Sequence, residues 1–232
     1  MNSTMRSVVA SFGVCVGVMF AQAPASAGPG DVTKSGAAFW EWAMSIPADV
    51  NPLTDTTGKY CMVGQSGDVW YLAGTFYPLG PTAVRYCTVP AGTAFFVPVF
   101  NFVNINTPNV CGQGGDVSTA DLRAFIAPAI DAAANLSLTV DGKPVGNVRR
   151  SKSGVFAVGL PEQNLFDKPC TDAGLGNVPA GVYSPSVDDG YYGQVNALSP
   201  GLHTLTIHAE SPVGTSVVDV TYHLTVVATT NH

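Results

Sequence analysis

The last third of the chain carries the clearest periodicity. In residues 202–210, His203, Leu205, Ile207 and Ala209 share one side, and Thr204, Thr206 and His208 share the other. In residues 216–227, Val218, Val220, Tyr222, Leu224 and Val226 alternate with Asp219, Thr221, His223 and Thr225. A period of two marks a strand with one buried face. Laying the two apolar sides together as a hairpin allows a register in which His208 faces Asp219, Thr206 faces Thr221 and Thr204 faces His223.

The same pattern upstream predicts strands over 68–76 and 83–89. Residues 93–103 (TAFFVPVFNFV) are apolar on both sides, which places that strand centrally between two layers, with Pro98 marking a bulge or an edge. Asp141-Gly142 is a hairpin turn signal between LSLTV and PVGNVRR, and 153–160 is a further strand. Residues 161–188 read as a long irregular stretch, and Asp189-Gly190 as a turn leading into a strand from Tyr191 and Tyr192. Two segments have helical character. Residues 31–44 are stopped by Ile46-Pro47 and Asn51-Pro52. Residues 118–134 open on Ser118 and Asp121 as a capping box and carry Leu122, Phe125, Ile126, Ala129, Ile130 and Ala133 at helical spacing, with Pro128 expected to kink the helix or end its first half. About ten short strands with turns every 8–12 residues predict a mainly all-β fold, a two-sheet β-sandwich or jelly-roll-like domain with one or two short helices.

The N-terminus alters what belongs to that domain. Arg6 precedes an apolar run from Ser7 to Ala21, and Ala25-Ser26-Ala27 is a small-x-small cleavage site. This predicts a secretory signal peptide over 1–27 and a single mature domain over 28–232, secreted or periplasmic. The run is short for a membrane span, which needs about 20 residues, and no later stretch is long enough. Export gives the remaining cysteines a meaning. Cys61, Cys87, Cys111 and Cys170 read as two disulfides, and the pairing Cys61–Cys87 with Cys111–Cys170 lets each bridge flank its own run of strands. Loop-closure entropy for such bridges is about 3.5 and about 4 kcal/mol. Metal spacing of the C-x2-C kind is absent. The net charge of −6, with charged residues at 11%, leaves no basic stripe for nucleic acid; Arg149, Arg150 and Lys152 form a short cluster only.

Several segments taken together carry a resemblance. They are FWEWAMSIP, Cys61 to Trp70, Arg85 to Gly92 with the apolar strand after it, Asp189-Gly-Tyr-Tyr192, and Leu198 to His203 leading to VTYHLTV. Across most of residues 35–227 the chain resembles a group of bacterial exported β-sandwich proteins of unassigned function. The resemblance implies the fold and brings no catalytic residue or cofactor with it.

Candidate chemistry is sparse. There is no G-x-S-x-G, no H-E-x-x-H and no phosphate loop. The His208–Asp219 pair, with His223 on the same face, is a candidate polar ligand surface; the alternative is a solvated sheet face. His203, on the apolar side, reads as a satisfied core histidine. Asp188 and Asp189 beside Tyr191 and Tyr192 are the second candidate. Paired acids suit glycoside hydrolysis, but neighbours on a strand point apart, and Asp-Gly has its own reason to sit in a turn. Either aspartate with loop carbonyls is a weak candidate for Ca²⁺. Trp40, Trp42 and Trp70 offer either sugar-stacking rings or core; on a helix Trp40 and Trp42 point about 200° apart, so at least one must be buried. The leading expectation is a non-catalytic exported domain binding a polysaccharide or another envelope component. The alternatives are an extracellular hydrolase acting on glycans, with acids from separate loops, and a structural or protein-interaction module.

Overall fold

Strand β3 (Ala94–Ile105) organises the molecule because it has apolar side chains on both faces. In the computed structural model, which describes residues 32–76 and 80–228, Phe95, Val97, Val99 and Phe100 of β3 pack with Leu205, Ile207, Val220, Tyr222 and Leu224 of the opposite sheet. Phe96 and Ile105 turn the other way, into a cluster with Phe39, Trp40 and Met44. The latter three belong to α1 (Val32–Met44), so helix and sheets form three layers with β3 in the middle one. Trp40, Trp42 and Trp70 are all buried, on the core side of the alternatives. The predicted signal peptide lies outside the described residues. Among the described residues no helix is long and apolar enough to cross a membrane.

The middle sheet runs β1 (Val69–Tyr71), β3, β8 (Gly181–Val195) and β6 (Arg149–Lys152), with β7 (Phe156–Leu160) also pairing β8. The second sheet runs β2 (Thr82–Pro90), β10 (Ser216–Val227), β9 (Gly201–Ser211), β4 (Ala134–Val140) and β5 (Lys143–Pro144). This is a two-sheet sandwich, and both sheets are mixed: β1 runs parallel to β3, and β2 parallel to β10. The β9–β10 register is the predicted one: His208 faces Asp219, Thr206 faces Thr221 and Thr204 faces His223. The β3–β8 register shifts between Pro98 and Phe100, the bulge expected of an internal proline.

Helix α2 (Thr119–Asp131) starts as its capping residues predict. Ser118 Oγ accepts from the Asp121 N–H at 3.2 Å and donates to Asp121 Oδ2 at 2.7 Å. The helix runs on through Pro128 to Asp131, so the proline does not end its first half. The carbonyl that a residue other than proline would bond is that of Ala124, and both positions are exposed, so water can satisfy it. Phe125, expected on the packed side, is 79% exposed. Leu122, Ile126, Ala129 and Ile130 make the buried stripe, and at about 100° per residue Phe125 falls just beyond its margin.

Four further expectations are corrected. Only Val69–Tyr71 of residues 68–76 pairs as strand; Leu72 still donates to the Phe96 carbonyl at 3.1 Å, then the chain turns to Leu53. Asp141-Gly142 does form the tight turn, with φ of 50° and 73°, but its second strand stops at Pro144 and Arg149–Lys152 crosses to the other sheet as β6. Proline has no N–H with which to continue the ladder. Residues 161–188 hold α3 (Asp167–Asp172) and the first half of β8. Finally, Asp189-Gly190 is no turn but the buried middle of β8. Gly190 is required by strand approach: a Cβ there would lie 2.4 Å from the Asn101 Cβ.

Both expected disulfides are formed, Cys61–Cys87 with Cα atoms 6.1 Å apart and Cys111–Cys170 at 5.3 Å. The first ties the loop before β1 to β2; the second ties the loop before α2 to α3. Two such bridges fit an oxidising environment, such as the extracellular space or periplasm.

Among the described residues Arg85 is the largest fully buried side chain, 1% exposed on the inner side of β2. Its Nε donates to the Asp55 carbonyl at 2.7 Å, Nη2 to the Gly74 carbonyl at 2.8 Å, and Nη1 to the Tyr222 hydroxyl at 2.6 Å and to the Ala73 carbonyl. Burial pushes the Asp55 carboxyl up, but N–H donors from Tyr60 and Thr57, the Thr57 hydroxyl and the Arg85 charge outweigh it, and its pKa is lowered overall. A buried cation with all three guanidinium nitrogens engaged pins the 53–57 and 73–74 loops to the sandwich. Arg85→Met fits the space but strands these carbonyls. It is expected to lower the urea unfolding free energy by about 3 kcal/mol, and a loss below about 0.5 kcal/mol would contradict the pinning role.

Candidate functional site

Alternation along β2, β10, β9 and β4 puts one side chain in two on the outer face of the second sheet. Because β2 pairs β10 in parallel and β10 pairs β9 antiparallel, these side chains line up in rows across the strands. One row is Thr82, Asp219, His208 and Ser137. The next is Val84, Thr221, Thr206 and Thr139, in which the Thr206 and Thr139 hydroxyls lie 2.6 Å apart. The third is Tyr86, His223 and Thr204. The predicted residues His208, Asp219 and His223 are therefore brought to one face.

Their partners differ from the expectation. His208 Nε2 lies 3.3 Å from Glu210 Oε1, two residues along its own strand, so Glu210 takes the place expected of Asp219. Glu210 is held in turn by Asn135 Nδ2 at 2.8 Å. The His223 ring stacks on Tyr86, with centroids 4.8 Å apart and planes 23° apart. Tyr86 is 67% exposed. Sequence reading misses Tyr86 as a site residue because β2 and β10 lie far apart in the chain and pair in parallel. The available signal was the alternation of 83–89, which puts Tyr86 opposite Ala83, Cys87 and Val89. His203 is not in the core: it is half-buried at the start of β9, with Nδ1 at 2.8 Å from Asp141 Oδ2 and Nε2 at 2.9 Å from the Ser199 carbonyl. The Asp141 carboxylate first, then the Ser199 carbonyl, raise its pKa.

The second predicted group, Asp189, Tyr191 and Tyr192, lies elsewhere, in the middle sheet. Asp189 meets Arg150 through two bonds, Oδ1 to Nε at 2.9 Å and Oδ2 to Nη2 at 2.7 Å, and Lys152 Nζ stands 3.7 Å away. Arg150 also reaches Asp131 of α2 at 2.6 Å. The Asp189 oxygens thus face two cations. Tyr191 packs half-buried toward the inner core. Tyr192 is buried and stacks on Phe96 at 5.1 Å.

Asp188 points to the opposite side from Asp189 and is fully buried. Its Oδ1 accepts from Trp40 Nε1 at 2.8 Å and from the Tyr192 hydroxyl, while Oδ2 has no hydrogen-bond partner. Burial pushes its pKa up to about 7, against the two hydrogen bonds, which lower it, and with help from the Asp189 charge. The carboxyl joins α1 to β8 and is spent on structure; the two aspartates do not converge on one site. Among the described residues no group of three or more His, Cys, Asp or Glu side chains is placed to hold a metal ion. No family model, curated protein or solved structure matches the chain.

An acid raised from 3.8 to about 7 binds more protons in the folded than in the unfolded state across that interval. Its contribution to stability is complete below pH 3.8 and is lost as pH rises to about 7. His203, raised above 6.5, acts in the same direction at the upper end. Unfolding free energy should therefore fall between pH 5 and pH 8, by at most about 3 kcal/mol from Asp188. Asp188→Asn should flatten the profile, leaving the smaller His203 part. An unchanged slope in Asp188→Asn, measured by urea unfolding across that range, would contradict the assignment.

Proposed function

We propose that the chain is an exported, non-catalytic binding domain that holds a saccharide, a polysaccharide or another glycan of the envelope, on the outer face of its second sheet. The observation that carries this reading is the Tyr86–His223 stack, which leaves the Tyr86 ring exposed on the outer face of the edge strand β2. An exposed tyrosine ring offers its face to the C–H side of a sugar, and its hydroxyl stays wet. Hydroxyls of Thr221, Thr204, Thr206 and Thr139 continue across the same face on the next three strands, and each can donate and accept. Asp219 and Glu210 add acceptors that suit sugar hydroxyls. The secretory signal in the sequence and the two disulfides agree with a ligand met outside the cytoplasm.

A second reading, a protein-interaction module, draws on the same face. Val227 and Leu202 are exposed there side by side at one end of the β9–β10 pair, Leu202 at 83%. Exposed aliphatic side chains close together mark protein contacts. The hydrolase reading has no comparable support, because Asp188 and Asp189 face apart and each is engaged by neighbours.

The oxidised mature domain should bind at least one member of a glycan and cell-wall panel. Tyr86→Ala should weaken that binding by about ten-fold or more with the melting temperature unchanged, since the ring is exposed. No binding across the panel, or equal binding by Tyr86→Ala, would overturn the saccharide reading. Capture of a defined envelope protein, lost in Leu202→Asp, would favour the second.

A further inference from the structure

The chain crosses from the middle sheet to the second sheet through residues 196–200, between β8 and β9. Leu198 of this crossing packs half-buried against the larger core, while Asn196, Ala197, Ser199 and Pro200 are exposed. His203, at the start of β9, fastens the segment. Its Nε2 lies 2.9 Å from the Ser199 carbonyl, and its Nδ1 lies 2.8 Å from Asp141 Oδ2 in the turn between β4 and β5.

Both partners are acceptors. A carboxylate and a peptide carbonyl have no proton to give, so each ring nitrogen has to supply one. Neutral imidazole carries a single N–H, and only the imidazolium carries two. The contacts at both ends of the ring are therefore those of the charged form. The Asp141 carboxylate first, then the Ser199 carbonyl, raise the pKa of His203 above 6.5, and the same bond lowers that of Asp141. Other charges are few. Lys143 of β5 adds to the lowering at Asp141, and β10 sets the apolar Leu224 opposite His203.

The two bonds are unequal when one proton leaves. The bond to Asp141 is charge-assisted, and the bond to Ser199 ends on a neutral carbonyl. Asp141 is also held in its own right. Its Oδ1 accepts from the Thr204 N–H at 2.9 Å, and its N–H donates to the Thr204 carbonyl at 2.8 Å. Nδ1 therefore keeps its proton, and Nε2 gives its proton to water. The Nε2 lone pair then meets the Ser199 carbonyl, acceptor against acceptor, and the exposed partner gives way.

We propose that His203 is a proton-operated clasp on the crossing between the two sheets: as imidazolium it holds Ser199 to the Asp141 turn, and on losing the Nε2 proton it releases residues 196–200 and loosens Leu198 from the core. The clasp is closed at low pH and opens as pH rises through the folded-state pKa of His203. It does not depend on the saccharide reading.

The test is ring-nitrogen and amide NMR of the oxidised mature chain, titrated between about pH 5 and pH 9. At the acid end both His203 ring nitrogens should carry protons. Through a midpoint above 6.5 the ring should become the Nδ1–H tautomer, with the Ser199 amide and the Leu198 methyl signals shifting at the same midpoint. Asp141→Asn should lower the midpoint, and His203→Gln should leave the Ser199 and Leu198 signals flat. A neutral ring protonated at Nε2, a midpoint at or below 6.5, or loop signals that do not follow the ring would overturn the clasp. These three readings come from the unaltered chain and hold whether or not a variant folds. A titration of Ser199 and Leu198 that persists in folded His203→Gln would overturn it as well.

Discussion

Burying both faces of β3 is the constraint from which the rest of the architecture follows. A strand with phenylalanines and valines on either side cannot form the outer layer of a sandwich. One face takes the second sheet, whose inner side chains from β9 and β10 complete the larger core. The other face needs a cover, and α1 with its aromatic side chains supplies it. The third layer is therefore a requirement of β3 itself. It also explains why Trp40 and Trp42, which point apart on a helix, are both buried: one side of α1 meets the sheet, and Trp42 turns to Tyr71 and the Val63 carbonyl.

The polar groups at the seams of these layers do different work. Arg85 is sealed among carbonyls and the Tyr222 hydroxyl and closes loops over the end of the sandwich. Asp188 links α1 to β8 through Trp40 and Tyr192. Arg150 bridges Asp189 of the middle sheet to Asp131 of α2. Each is a long-range crosslink between elements that hydrophobic burial alone would leave free to slide. Such groups contribute specificity more surely than net stability. The outer face of the second sheet carries none of these constraints, and it is there that threonines, histidines and an exposed tyrosine collect.

How much of this is legible in the sequence depends on the range of the interaction that decides each feature. The β9–β10 register is legible because the strands are neighbours and a slip of one residue would turn Leu205 and Ile207 to solvent. The cap at Ser118 and the double-faced β3 are legible for the same local reason. Asp189-Gly190 is not. The dipeptide signals backbone freedom, but what uses it is the close approach of Asn101 from another strand. Arg85 falls on the inner side of β2 by alternation, yet its partners at 55, 73, 74 and 222 are assembled only by the fold. The candidate face divides likewise: His208, Asp219 and His223 share a side by periodicity, whereas Tyr86 joins them through a parallel pairing with no local signature.

The claim that α1 is an integral layer over β3 is most directly tested by hydrogen exchange on the oxidised chain, comparing amides of residues 36–44 with those of β3 and β8. If the helix completes the core, its amides exchange with the slow, globally protected class to which β3 and β8 belong. Exchange of 36–44 orders of magnitude faster than β3, with β3 still protected, would show that the second face of β3 does not depend on α1 and would contradict the three-layer account.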